Sequence, residues 1–435
     1  MTATSPETIT SQHFHLADPL DFRRRALLWA DAWSLVCYLD SNEDRQYEYQ
    51  SYDALLAVGE ERQLLRADPE GGFAALRRFA DADPDAWLFG MLGYDLKNDL
   101  EQLDSQNFEA TGMPALHFFR AEVVFEFNDK GVRISSPVES PERIYREVLT
   151  YPFEVPQIRF GLGKLQPRVS KAEYLDVIQK IREHIVEGDL YEMNYCLEFF
   201  AEQYQTDPLF LFLQLNATAK APFGAYYKLR DRYLLSASPE RFLKKEGTRL
   251  ISQPIKGTAP RGRTPREDAR LRDQLFHSGK DRAENVMIVD LVRNDLARSC
   301  RPGSVRVEEL FGIYSFPTVH QMISTVTGVL RPEVHWTDAV RNAFPMGSMT
   351  GAPKVMSMEL IERYETTRRG IYSGAVGYVS PSGDFDFNVV IRSLIYNATE
   401  AYLSTHVGGA IVYDSDPERE YAECLLKLRT VEAVV

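Results

Sequence analysis

The sequence predicts an α+β fold built on antiparallel sheets. Three observations carry that reading. Strand-length apolar runs are joined by short polar turns, helices with explicit start signals lie between those runs, and the strands come in antiparallel groups rather than the strict alternation of a doubly wound parallel sheet. At 435 residues the chain can bury a sizeable core and fits about two domains or one large one.

Taken in order, Trp87 to Tyr94 and Glu122 to Asn128 read as strands, and Asp53 to Ala67 reads as helix-like. Pro156 to Arg168 has little regular pattern and reads as a linker between an N-terminal region, 1–155, and a larger catalytic domain, 165–435. Gly163-Lys164 within it is no phosphate loop, because the glycine spacing is wrong and Leu165 replaces Ser or Thr. Ser170-Lys171-Ala172-Glu173 is a capping box that opens a helix through Ile185, closing near Gly188. Ala225 to Leu229, Tyr233 to Ala237 and Arg249 to Pro254 suggest an antiparallel meander. A helix over about Asp281 to Arg298 follows, then a hairpin of Tyr372 to Ser380 with Phe385 to Asn397, turning at Pro381-Ser382-Gly383-Asp384. Last come a strand over Ala401 to Val407, the Gly408-Gly409 pair and a closing helix from Pro417.

Composition excludes several classes. A net charge of −13 argues against a sequence-independent nucleic-acid binder and against an anionic membrane surface. The start is polar, and the longest apolar stretch, Leu27 to Leu39, is interrupted by Asp31, so neither a signal peptide nor a membrane span is expected and the cytoplasm is the expected location. Cys37, Cys196, Cys300 and Cys424 are widely spread, which reads as reduced, mostly buried thiols. None sits in the Gly-x-Cys-x-Gly turn that presents a glutaminase nucleophile.

Three constellations carry chemistry. Glu284, Ile288 and Leu291 share one helix face, with Asp281 a turn earlier, so two carboxylates project from a partly buried stripe. On the closing helix, Asp416 as N-cap and Pro417 at the first position set a phase in which Glu420, Glu423 and Lys427 recur at i, i+3 and i+7. Carboxylates on two helices suit Mg2+; solvated acids and helix-dipole partners are the plain alternatives. Next, Ser238-Pro239-Glu240 and Pro254-Ile255-Lys256-Gly257-Thr258 place a carboxylate and an amine at the ends of neighbouring strands. A nucleophilic Lys256 calls for a depressed pKa and a general-acid Glu240 for a raised one; a surface ion pair is the bland reading. Finally, Arg392 falls on the polar face of its strand, suited to a carboxylate, while Gly347 to Lys354 and Gly408-Gly409-Ala410 are small-residue loops whose amides can approach an anion. His320 alone reads as a satisfied core or surface histidine.

Together these segments resemble the chorismate-utilising family, which includes anthranilate, aminodeoxychorismate, isochorismate and salicylate synthases. The resemblance runs from about Ser170 to the C-terminus and is most specific at Lys280 to Leu296, Phe344 to Lys354, Tyr372 to Tyr378 and Gly408 to Lys427. It implies antiparallel sheets packed face to face with surrounding helices. It also implies that Glu284 and Glu423 ligate Mg2+, with Asp281 and Glu420 as outer partners, and that Tyr372, Arg392, Lys427 and the Gly408-Gly409-Ala410 backbone hold the second carboxylate of chorismate. Thr350 and His320 would line the ring pocket.

Within Pro-Ile-x-Gly-Thr, anthranilate synthases typically carry Ala at x and aminodeoxychorismate synthases of the Lys type carry Lys; here x is Lys256. The implied reaction joins chorismate and ammonia into 4-amino-4-deoxychorismate for 4-aminobenzoate and folate synthesis, with ammonia from a separate glutamine amidotransferase subunit or free ammonium. Anthranilate synthase component I and a non-catalytic chorismate-binding homologue are the rivals, and the presence of Lys256 and of every expected site residue argues against each. Two departures stand out. Glu192 occupies the position where ammonia-using relatives are expected to have Gln, and Tyr38-Leu39-Asp40-Ser41 only partly matches the Leu-Leu-Glu-Ser of tryptophan-regulated members, which does not support tryptophan feedback.

Overall fold

In the computed structural model, residues 9–42, 49–101, 103–152, 163–317 and 319–435 are described. Among them, twelve strands form one antiparallel sheet and ten form a second. The strand Leu35–Asp40 shows why the sheets become layers. Its residues alternate: Leu35 and Cys37 join the cluster between the sheets with Phe89, Leu92 and Phe387, while Val36 and Tyr38 join the outer cluster with Phe22, Trp29 and Phe212. A strand buried on both faces reads as a continuous apolar run, and the two faces need two covers.

The helices supply the outer covers. Pro19–Ala30, Pro141–Thr150 and Pro208–Ala219 pack on the outside of the larger sheet through Ala26, Ile144 and Leu211, among others. Lys171–Glu187, Lys354–Tyr364 and Pro417–Glu432 bury Ile178, Leu360 and Cys424 against the outer face of Glu192–Ala201 and Tyr402–Ile411. Gly279–Ala297 lies on the smaller sheet, beside Ile255–Pro260 and Val319–Val329. The capping box is present as expected, with Ser170 Oγ accepting from Glu173 N and Ser170 N donating to Glu173, and Gly188 ends the helix with φ 89°. All four cysteines are free and buried.

The structure corrects five expectations. Asp53 to Ala67 is two strands, Ala54–Gly59 and Gln63–Arg66, each in a different sheet; the first is a short apolar run buried on both sides, which carries no period that separates helix from strand. The meander is split, because Phe223–Leu229 and Arg232–Ser238 lie in the larger sheet whereas Arg241–Glu246 and Arg249–Gln253 lie in the smaller. Phe385 to Asn397 is two strands, Phe385–Val389 and Ser393–Asn397, again in different sheets. Gly408 and Gly409 sit inside the strand Tyr402–Ile411, facing Cys196 and Tyr195 of Glu192–Ala201. Of the expected linker, 156–162 lie outside the described residues, and Gln166–Pro167 pairs with Phe199 and Phe200.

Strands from 1–155 and from 165–435 share both sheets. Leu35–Asp40 pairs with Phe223–Leu229, and Leu88–Leu92 pairs with Ala375–Val379.

Candidate active site

Two of the places where the chain passes from one sheet to the other lie side by side. Pro239-Glu240 leads from Arg232–Ser238 into Arg241–Glu246, and residues 390–392 lead from Phe385–Val389 back into Ser393–Asn397. Val389 N donates to Glu240 O at 3.0 Å and Ala237 N donates to Arg392 O at 3.2 Å, which locks the two together. Arg392 turns its corner with φ 51°, a left-handed backbone that costs a side-chain-bearing residue about 1–3 kcal/mol. It is not the mid-strand residue its alternation suggests. Its guanidinium makes no ion pair among the described residues; burial lowers its pKa, and the nearby Glu240 opposes that.

Glu240 is 5% exposed, and burial pushes its carboxyl up to about 7 against the pull of the Ser348 hydroxyl, the Lys256 ammonium, the Ile255 amide and Arg392. A carboxylic acid with that pKa still holds its proton near neutrality, as a general acid requires. Lys256, on the edge strand Ile255–Pro260, donates from Nζ to Glu192 Oε1 at 2.6 Å. Burial works against its charge, but Glu192, Glu284 and Glu240 together outweigh burial, and its pKa is raised. The depressed pKa expected of a nucleophile is therefore absent from the resting site. Lys256 rests as an ammonium.

Glu284 shares one face of Gly279–Ala297 with Ile288, which is buried as the helical phase predicts. Burial raises its carboxyl to about 7, with Lys256 and Lys280 opposing and Glu192 and Asp281 adding to the rise, and its Oε1 is buried without a hydrogen bond. Lys280 Nζ stands 3.7 Å from that oxygen and also acts on Glu420 and Glu423 across the gap to the closing helix. Burial raises the Glu420 carboxyl, although Ser415 Oγ donates to its Oε1 at 2.8 Å. The Glu423 carboxyl is lowered, first by Lys427 at 2.9 Å. Asp281 lies against Gly257, where a Cβ would meet its Oδ1 at 3.1 Å.

These oxygens suit a hard cation in kind: carboxylates alone, one buried oxygen without a hydrogen bond, and a lysine spanning the charge between the helices. Their ligand atoms do not form a tight trio. Among the described residues the only three donors mutually within 4.8 Å are His184, Glu187 and Asp189, and both ring nitrogens of His184 already meet Asp189 and Tyr364.

The expected cradle for a second carboxylate is assembled from three elements. Lys427 Nζ donates to Gly408 O at 2.7 Å, and a Cβ on Gly409 would meet Glu420 Oε2 at 3.4 Å, so bare backbone faces the closing helix there. Ala410 pairs with Asn194 in the same ladder. Tyr372 is buried, stacked on His406 at 5.0 Å with its hydroxyl beside Cys196 Sγ, and burial raises its pKa well above the ordinary value. Two residues stand differently. Thr350 turns its hydroxyl back onto Met346 O and Gly347 O, and His320 has Nδ1 on Ser315 Oγ at 2.8 Å and Nε2 on Asp268 Oδ1 at 3.0 Å. Both ring nitrogens of His320 are thus engaged by Ser315 and Asp268, and His320 lies on a strand paired with the one that carries Lys256.

Sequence reasoning missed Ser348 beside Glu240 and Lys280 beside Glu284. The second was findable, since Lys280 precedes Glu284 by one helical turn. Glu192 was noticed only as a departure, yet it is the residue that holds Lys256. A separate concavity opens at Leu39, Asp40, Ser41, Phe223 and Asn388, where Asp40 accepts from Tyr38 OH and Asn216 Nδ2; it takes in part of the Tyr38-Leu39-Asp40-Ser41 string and none of the expected catalytic, chorismate-binding or metal residues.

Residues 29–433 match the family described as chorismate binding enzyme. Aminodeoxychorismate synthase component 1 of Klebsiella aerogenes is 38% identical over 79% of this chain and 75% of that protein. Anthranilate synthase component 1 of Thermus thermophilus is 34% identical over 86% of this chain and 82% of its own length. The crystal structure of anthranilate synthase component I from Streptococcus pneumoniae shares the fold at a TM-score of 0.74 and 23% identity, covering 99% of this chain and 94% of that one. Buried acid, buried amine and two acidic helices thus meet at the seam of two sheets that relatives share, and the chain belongs to the chorismate binding enzyme family.

Proposed function

We propose that the chain is the chorismate-aminating component of an aminodeoxychorismate synthase, converting chorismate and ammonia to 4-amino-4-deoxychorismate for 4-aminobenzoate and folate synthesis. The observation that carries this is Lys256: a buried ammonium in the string Pro254-Ile255-Lys256-Gly257-Thr258, in the electrostatic field of a Glu240 that keeps its proton to about pH 7. Relatives named aminodeoxychorismate synthase support it, at identities of 37–46%.

The residues divide the work. The Lys256 amine attacks ring carbon 2, the double bonds shift, and Glu240 gives its proton to the departing 4-hydroxyl. Ammonia then adds at carbon 4, the double bonds shift back, and the bond to Lys256 breaks while Glu240 takes a proton from the new ammonium. Arg392, free of ion pairs among the described residues, holds a substrate carboxylate with Lys427, Tyr372 and the amides of Gly408, Gly409 and Ala410. Thr350 and His320 line the ring pocket.

Mg2+ would be held by Glu284 and Glu423, with Asp281 and Glu420 around them, and when bound it supplies positive charge for the other substrate carboxylate. Ammonia comes from a separate glutamine amidotransferase subunit or from free ammonium. The setting is the cytoplasm, consistent with four free buried thiols; no helix among the described residues is long and apolar enough to cross a membrane.

Product identification tests the reading. The purified chain with chorismate, Mg2+ and excess ammonium should yield aminodeoxychorismate by liquid chromatography and mass spectrometry. Anthranilate with pyruvate as the product would overturn it.

A further inference from the structure

The proposed reaction needs the lone pair of Lys256, and the resting site withholds it. An ammonium cannot attack carbon, so a proton must leave Nζ before or during attack, and some group must take it. Four carboxyl groups interact with Lys256: Glu192, Glu284, Glu240 and Glu423. Glu240 is excluded, because it must still carry its own proton for the departing hydroxyl. Glu284 and Glu423 make no hydrogen bond to Lys256, and their place is with the acids that face the cation.

Glu192 is left, and its geometry suits the task. Its Oε1 accepts from Lys256 Nζ at 2.6 Å, within the distance over which a proton is handed across a hydrogen bond. The side chain is 1% exposed and the Lys256 side chain 10%, so bulk water is a poor competitor for that proton. Its Oε2 is buried with no hydrogen-bond partner, which leaves room on the carboxyl for a proton without breaking any other contact. The backbone holds it in place: Glu192 pairs with Ala352 across the strand ladder, and Ser357 Oγ donates to its carbonyl at 3.3 Å.

We infer that Glu192 is a catalytic residue, the proton acceptor that converts the Lys256 ammonium into the attacking amine and later returns the proton. The inference rests on the proposed function. Its balance closes. Lys256 passes one proton to Glu192, the amine bonds to ring carbon 2, and the 4-hydroxyl leaves as water with the proton of Glu240. Ammonia bonds to carbon 4 and the carbon 2–nitrogen bond breaks, returning its electron pair to Lys256. Glu240 recovers a proton from the carbon 4 ammonium, and Glu192 returns its proton to Lys256. Chorismate and ammonia have become aminodeoxychorismate and water, and every side chain is as it began.

The test compares wild type, E192Q and E192D under saturating ammonium and Mg2+ at about pH 7 and about pH 9.5. E192Q keeps an oxygen facing Nζ but cannot take the proton. Its kcat for aminodeoxychorismate should fall about tenfold or more at the lower pH, while KM for chorismate stays within about twofold. The deficit should shrink at the higher pH, where hydroxide removes the proton instead. E192D, a carboxylate on a shorter stem, should recover part of the loss. Wild-type kcat in E192Q, or a deficit that is the same at both pH values, would overturn the role of Glu192 alone, provided wild type makes aminodeoxychorismate. A wild type that makes anthranilate would overturn the proposed function itself.

Discussion

Two buried ionic networks adjoin along the strand Glu192–Ala201, and they differ in how completely they are satisfied. The first joins Arg369 and Glu365. Arg369 meets both Glu365 oxygens at 2.6 and 2.9 Å, donates to Met349 O and Asn194 O, and lies over the Tyr94 ring, while Glu365 also accepts from Cys196 N. The second joins Lys256, Glu192, Glu240 and Glu284. It leaves Glu192 Oε2 and Glu284 Oε1 buried without hydrogen bonds and holds Glu240 and Glu284 up to about 7. Buried polar atoms are normally paired, so the first network reads as scaffold and the second as a site awaiting a ligand. Asn194 and Cys196 face the first network and Glu192 the second, two residues apart on one face of one strand.

The sharpest way to break that contrast is to remove a charge from each side. Lys256→Ala should abolish amination, by at least about 10³-fold in kcat, with the far-ultraviolet circular dichroism unchanged. A variant that still turns over at a tenth of the wild-type rate would make Lys256 structural. Arg369→Met should do the reverse. It strands Glu365 without its partner in a fully buried place and should cost about 3–5 kcal/mol in denaturant unfolding, whatever it does to activity. A loss under about 1 kcal/mol would show that the satisfied network is not what holds the strands together.

A smaller effect tests the unpaired oxygen. Mg2+ should tighten chorismate binding in wild type, measured by isothermal titration, and Glu284→Gln should weaken that enhancement by about a hundredfold, near 2.7 kcal/mol. Enhancement that survives the substitution would remove Glu284 from the cation site.

How much of this was legible depends on the range of the interactions. The helix phases were readable, because spacing alone puts Glu284 on the face of Ile288, and Asp416-Pro417 announces the closing helix that carries Glu420, Glu423 and Lys427. The α+β class followed from the turns. The crossings were not readable: nothing local says that Phe385 to Asn397 leaves one sheet for another at Arg392, since the φ of 51° is imposed by Ala237 and the neighbouring crossing. Ala54–Gly59 misled for the opposite reason, a period erased by burial on both faces. The Lys256–Glu192 contact joins residues 64 apart, which no periodicity reports. The resemblance named the parts, and the fold supplied their protonation.

The smallest effect tests whether the unsatisfied network costs the fold anything. Glu240 ionises near its ordinary 4.5 in the unfolded chain and near about 7 when folded. Below 4.5 both states hold the proton and the site costs nothing on this account. Between 4.5 and 7 the unfolded chain releases its proton and the folded chain does not, so stability falls as pH rises, by about 1.4 kcal/mol per unit and roughly 3 kcal/mol at most. Above 7 the loss is complete. Glu240→Gln has no proton to lose, so against wild type it should gain about 2 kcal/mol between pH 5 and pH 8 in denaturant unfolding, while amination falls. A difference between the two chains that does not change with pH would mean that Glu240 is not held protonated by the fold, and the general acid would have to be sought elsewhere. Gain in stability with loss of turnover would show that the burial which makes Glu240 an acid is kept at the expense of the fold.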